Sequence, residues 1–234
     1  VLTDEQRREL EQSGAIAPLE LLSAEELTRY RTAYDRTVAA IGPRARIDEL
    51  HHHFAWAQEL ATHPRLLDMV ASLLGDDLLV HAVLVLTKYP GRPGLVPWHQ
   101  DSFLSGWHRS PSISAWIALS PSTRESGCMR VIEGSHVAGP RMHDQRPSPD
   151  NLLWGGLTIA EPVDESRVRD LLLAPGQVSL HARNLVLGPQ PNRASEPRLA
   201  LIVRVVTSAY RARRGPPPRA RGSADDGPPA RPHR

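Results

Sequence analysis

DLLVHAVLVLTKYP, residues 77–90, is where the chain changes character. Upstream of it the apolar residues recur at helical spacing. Within it valine and leucine dominate, and the run stops at the turn-forming GRPG of residues 91–94. A short β-branched run bounded by glycine and proline predicts a strand. The same kind of segment returns downstream as SISAWIALS (112–120), GCMRVIEGSH (127–136), GQVSLHA (176–182), NLVLGP (184–189) and RLALIVRVV (198–206), punctuated by Gly, Pro and Asn. No internal repeat accompanies them. Several short strands after a block of helices predict an α+β chain whose second part is an all-β sandwich or barrel.

The helical block precedes this switch. LTDEQRRELEQSG (2–14) offers Thr3 as an N-cap with Gln6 three residues on, and closes at Gly14; residues 21–42 repeat the signal with Ser23, Glu26 and Gly42. Residues 49–77 hold two further apolar-periodic stretches, split at His63-Pro64. His51, His52 and His53 are consecutive, and neighbours on a helix point in different directions, so the three are not expected to converge on one ion.

With 234 residues the chain can bury one full core, and a single domain over residues 1–208 is expected. A lone cysteine, Cys128, excludes an internal disulfide and suits a reducing compartment. With no apolar run of spanning length and no leader pattern, neither membrane insertion nor secretion is expected, and the cytoplasm is the expected location. The net charge of +2 is uneven: residues 211–234 carry seven Arg and two Asp, which supplies +5 and leaves the remainder at −3. Those arginines are interleaved with Pro and Gly, without aromatics or a helix or strand period. Residues 209–234 therefore predict a disordered tail, and no nucleic-acid partner is expected.

One motif carries chemistry. In PWHQDSFLSGW (97–107) a histidine and a carboxylate, His99 and Asp101, stand two positions apart. On an extended strand residues i and i+2 share a face, so the pair would present an imidazole nitrogen and a carboxylate oxygen to one point, which is two thirds of a facial metal site. By itself the pair is a weak signal, and a surface His-Asp pair is the default.

Its surroundings make it specific. WHQD, AWIALSPSTRESGCMRVIEGSH and APGQVSLHARNLVLGPQPNRASEPRLALIVRVV, with the N-terminal helices, together resemble the phytanoyl-CoA dioxygenase family of Fe(II)- and 2-oxoglutarate-dependent oxygenases, over nearly all of residues 2–206. The resemblance implies a double-stranded β-helix, a jelly-roll or cupin-like barrel buttressed by the N-terminal helices. It also implies Fe(II) and 2-oxoglutarate as cofactors and a small organic molecule as substrate. Matched position by position, His99 and Asp101 are metal ligands, Arg198 grips the far carboxylate of 2-oxoglutarate, and Trp116 lines the co-substrate pocket. His136 belongs to the signature as a loop-structuring residue. The segments 102–111 and 137–153, with Trp107 and His108, would form a substrate-selecting lid.

The pattern breaks at the third ligand. Where the family has a histidine eleven residues ahead of the arginine, this chain has Leu187, and Pro189 replaces a common co-substrate serine. A leucine cannot coordinate a metal. His181, six positions before Leu187 across a predicted turn, is the nearest alternative donor. His108 and His143 have no positional argument. Two readings follow: an oxygenase with a weakened site, or a non-catalytic relative that retains the barrel as a binding module. The sequence sets neither the substrate nor an oligomeric state.

Overall fold

The computed structural model describes residues 1–92, 96–104, 111–145, 150–188 and 190–208. Pro189, Trp107, His108 and the tail 209–234 lie outside the described residues. The helices start where their caps stand. Helix α1 (Asp4–Ser13) and, after strand β1 (Ala15–Glu20), helix α2 (Ala24–Ile41) both open on complete capping boxes, Thr3 with Gln6 and Ser23 with Glu26. Gly14, at φ 84°, stops α1 in the left-handed conformation that glycine adopts without strain. Strand β2 (Arg46–Asp48) follows, then α3 (Ala55–Ala61) and α4 (Pro64–Leu74), with Pro64 in the first turn where its missing N–H costs nothing. No helix among the described residues is long and apolar enough to cross a membrane.

Residues 78–88 form β3, as their composition predicts. The remaining elements are β4 (His99–Gln100), the short helix α5 (Asp101–Leu104), β5 (Ser112–Ala118), β6 (Met129–Ile132), β7 (His143–Gln145), β8 (Leu157–Ile159), β9 (Val168–Leu171), β10 (Gln177–Ala182), β11 (Val186–Leu187) and β12 (Arg198–Thr207). A six-stranded antiparallel sheet runs β1-β10-β5-β12-β3-β2, and a four-stranded one runs β4-β11-β6-β9. The two form the double-stranded β-helix.

The apolar runs are continuous because the larger sheet is buried on both faces. Val83, Val85, Ile113, Ala115, Ile117, Leu201 and Val203 form one core with Leu10, Tyr30, Leu60, Leu66 and Val70 of the helices. Their strand neighbours Leu84, Leu86, Trp116, Ala118, Ala200 and Ile202 form a second core with Met129, Val131 and Leu187 of the smaller sheet. Period-two alternation thus assigns each strand residue to the helix side or to the barrel interior. Arg198 and Arg204, at even spacing from Ala200 and Ile202, share the interior register.

Candidate functional site

His99 and Asp101 come together, though not by the strand geometry that the sequence suggests. β4 ends at Gln100, and Asp101 already opens α5. Gln100 is fully buried and is tied down on all sides. Its backbone N–H donates to His143 Nε2 (3.1 Å), its Nε2 donates to the carbonyls of Asn184 (2.6 Å) and Gly139 (3.0 Å), and its Oε1 accepts from the Arg141 N–H (2.7 Å). Ser102 Oγ donates to Asn184 Oδ1 (2.6 Å). With its two polar neighbours held there, the turn delivers Asp101 Oδ1 to 3.5 Å from His99 Nε2.

His99 Nδ1–H donates to the Pro97 carbonyl at 2.9 Å, which leaves Nε2 as the acceptor that faces the carboxylate. Two acceptors at that separation call for a proton or a cation between them. Cis ligands on a first-row ion with bonds of about 2.1 Å lie about 3 Å apart, so this edge fits a divalent metal. Arg204, on β12, puts Nη2 2.7 Å from the same Asp101 oxygen. Burial alone would raise the Asp101 pKa, but the Arg204 guanidinium outweighs it and holds the carboxyl well below its usual range. Asp101 is therefore ionised, as a ligand must be.

The third position does not fit. Leu187 on β11 lies directly opposite His99 in the β4–β11 ladder and opposite Val131 on β6, and it is 2% exposed. Its isobutyl group offers no donor atom to the edge formed by His99 and Asp101. His181, buried on β10, stands in a cross-strand row with Ser114 and Arg204 and lines the same cavity as His99 and Asp101. Burial pushes its pKa down to about 4, so it is neutral, and its Nε2 is already engaged with Ser179 Oγ at 2.9 Å. His143 is equally occupied: Nδ1–H donates to the Arg141 carbonyl (2.8 Å), Nε2 accepts from Gln100, and the ring stacks on Phe103 at 4.2 Å. Its job is to orient the β4 turn. His136 Nε2 meets the Glu11 carbonyl at 3.2 Å and ties the 135–138 turn to α1.

Arg198 opens β12 from inside the barrel, 1% exposed, with its guanidinium carbon 5.0 Å from the centroid of the Trp116 ring. Nη1 donates to the Gly127 carbonyl at 2.7 Å, whereas Nε and Nη2, and Trp116 Nε1, have no hydrogen-bond partner among the described residues. Burial pulls the Arg198 pKa down to about 10, which leaves it charged at neutral pH. Orphaned donors on a buried cation are a receptor for an anion such as a carboxylate. His99, Asp101, Trp116, His181, Leu187 and Arg198 line one cavity of ≈ 30 Å³, room for about one water. Larger cavities of ≈ 600 and ≈ 390 Å³ lie elsewhere, among His51, His52 and α4 and around Tyr34 and Tyr89.

Sequence reasoning missed Arg204 and Gln100, and it named His143 only as an alternative donor without a positional argument. Only Arg204 left a readable signal, because it lies six residues from Arg198 on one strand and so on the same face. The histidine triplet also differs from expectation. Residues 50–52 form a 3₁₀ turn entered from Glu49 in the left-handed conformation, and this brings donor atoms of Glu49, His51 and His52 within 4.8 Å of one another. The rings of His51 and His52 lie tilted at 35° with centroids 3.9 Å apart, and both Nε2 atoms face Glu49 Oε2, at 4.0 and 3.4 Å; His53 is not part of the group.

A sequence model of the family described as phytanoyl-CoA dioxygenase (PhyH) matches residues 10–200. The 1-deoxypentalenic acid 11-beta-hydroxylase of Streptomyces arenae is 33% identical over 105 residues, 42% of this chain and 36% of that protein, so the match spans little more than a third of that relative's length. Among solved structures, the non-heme monooxygenase ThoJ in its apo form superposes with a TM-score of 0.73 at 28% identity, over 86% of this chain and 76% of that one. EvdO2 from Micromonospora carbonacea var. aurantiaca, complexed with 2-oxoglutarate, gives 0.75 at 24% identity over 89% and 92% of the two chains, a likeness of fold.

Proposed function

The chain belongs to the phytanoyl-CoA dioxygenase family, and on that premise we propose that its barrel, within a single domain of residues 1–208, binds Fe(II) and 2-oxoglutarate and oxidises a small organic molecule. The observation that carries this reading is the pairing of a ligand edge, His99 Nε2 and Asp101 Oδ1 3.5 Å apart, with the orphaned guanidinium donors of Arg198 in one cavity. His99 and Asp101 would hold the metal from one side, and Arg198 would hold the far carboxylate of the oxo acid through parallel hydrogen bonds. Trp116 forms the apolar wall between them, and Arg204 keeps Asp101 ionised. When bound, Fe(II) and 2-oxoglutarate would supply oxidation of an aliphatic C–H bond by O2, one oxygen atom going to succinate as 2-oxoglutarate loses CO2 and the other to the substrate. The chain's own part is orientation and exclusion of water.

Leu187 favours a second reading. With two protein ligands in place of three, the metal is held weakly, and the barrel would serve as a binding module for an oxo acid or a similar anion. Conversion of 2-oxoglutarate to succinate with Fe(II) and O2, compared in the native chain and in Leu187→His, separates the two. Turnover by the native chain supports the oxygenase. Turnover only after Leu187→His supports the binding module.

A further inference from the structure

Arg198 is not the only buried cation at its end of the barrel. Lys88, the last residue of β3, is its direct cross-strand partner, so the two side chains leave the sheet on the same face. Lys88 is 2% exposed and Arg198 is 1% exposed. Among the described residues both donate only to backbone carbonyls, Lys88 Nζ to Gln190 and Arg198 Nη1 to Gly127. Neither has a carboxylate. Placing two like charges side by side in a low-dielectric interior without a counter-ion is costly unless a ligand supplies the negative charge.

We propose that Lys88 is a second cationic anchor beside Arg198, and that the two together receive the far carboxylate of the oxo-acid co-substrate. This rests on the oxo-acid reading above. The groups that act electrostatically on the amine are Arg198 across the ladder and the Cys128 thiol; the Gln190 carbonyl accepts from it, and the Asn192 side-chain amide donates to the Lys88 backbone carbonyl at 2.8 Å. Burial first and Arg198 second push the Lys88 pKa down to about 6, so without a ligand the amine is already mostly neutral at pH 7. An arriving carboxylate reverses that balance, and binding is accompanied by proton uptake at Lys88. Co-substrate affinity accordingly falls as the pH rises from about 6 toward the pKa of the bound state.

The test is calorimetric titration of the full chain with 2-oxoglutarate in the presence of Mn(II), at about pH 7.5, in two buffers of different ionisation enthalpy. Lys88→Met is expected to weaken binding by about tenfold or more and to abolish proton uptake. Lys88→Arg, which keeps the charge and cannot release its proton, is expected to retain most of the affinity and lose the uptake. Thermal melting of each variant shows that it is folded, and Lys88→Arg carries the test alone if Lys88→Met is not. If Lys88→Arg leaves proton uptake as in the native chain, or Lys88→Met changes neither affinity nor uptake while Arg198→Met removes binding, Lys88 is structural and the oxo-acid reading stands. If the native chain binds no 2-oxoglutarate, or Arg198→Met binds it normally, that reading falls and the role of Lys88 falls with it.

Discussion

Leu187→His is the substitution on which most turns. The ladder places residue 187 directly opposite His99, where Cα atoms of paired antiparallel residues lie about 4.5–5.5 Å apart, close enough for both imidazoles to reach one ion. In the metal-free protein the change is harmful. Leu187 is buried against the second core, and its side chain contributes about 1.5–3 kcal/mol through burial. An imidazole there recovers part of that burial but brings a ring N–H without a partner, at about 1–3 kcal/mol. A net loss of about 2–4 kcal/mol lowers Tm by roughly 5–15 °C for a chain of this size. Metal reverses the sign, because a ligand that binds only the folded state at about one hundred times its Kd adds about 2.7 kcal/mol. Thermal melts of both proteins across a Co(II) or Mn(II) series are the assay. The variant should start lower and climb further than the native chain, with Co(II) absorption bands appearing in parallel. If the variant gains no more from metal than the native chain does, residue 187 does not face the ion and the register argument is wrong.

Three further outcomes follow from particular contacts. Arg204→Met removes the guanidinium 2.7 Å from a buried carboxylate and should cost about 3–5 kcal/mol in urea unfolding, part of it regained when a divalent metal is added. Gly127→Ala places a Cβ 2.3 Å from the Gln190 carbonyl oxygen at a φ of 74°; it should destabilise the fold by more than about 1 kcal/mol and, by moving the carbonyl that Arg198 donates to, weaken oxo-acid binding. Ser23→Ala breaks the α2 capping box and should cost about 1 kcal/mol at neutral pH. Glu26 is held at a pKa of about 2, chiefly by the Ser23 backbone N–H and then by His63. A depressed carboxylate stabilises above its unfolded pKa and loses that contribution as pH falls through the folded one; residue 23 keeps its backbone N–H in Ser23→Ala, so in acid unfolding both proteins should lose the Glu26 contribution between about pH 4.5 and 2 while the gap between them stays nearly constant.

The helices, the strands and the barrel class were legible because each rests on local signals: capping boxes at Thr3 and Ser23, the proline after His63, and runs such as residues 78–88 whose composition suits only a buried strand. His99, Asp101, Trp116 and Arg198 were legible as a motif, and the structure gathers them around one cavity. What stayed hidden depends on distant pairing. Strand β1 was missed because Ala15–Glu20 carries no strand pattern of its own and is ordered by β10. The turn at Gln100 was missed because it is built by Gly139, Arg141, His143 and Asn184, some 40 to 84 positions away. The histidine triplet was read on a helix, but α3 begins only at Ala55, and Glu49, in a left-handed conformation that no helical period predicts, turns residues 50–52 into a 3₁₀ turn.

Charge balance explains why the surviving residues still make sense without the third ligand. Arg204 already compensates Asp101 at 2.7 Å, so the ligand edge is neutral as it stands. Among the described residues Arg198 meets only a backbone carbonyl, and Lys88 beside it becomes a second uncompensated cation once it takes up a proton. The interior therefore lacks an anion, and a divalent cation bound alone at His99 and Asp101 would add positive charge to a space that already has an excess of it. On the oxo-acid reading a dicarboxylate would correct both imbalances, because its far end would meet Arg198 while its oxo-acid end would supply oxygen donors that Leu187 does not. On that reading holding power would pass from the chain to the co-substrate, and metal and oxo acid are expected to bind as a coupled pair, each weak alone, with the coupling set by Arg198 and by Lys88 once it is protonated.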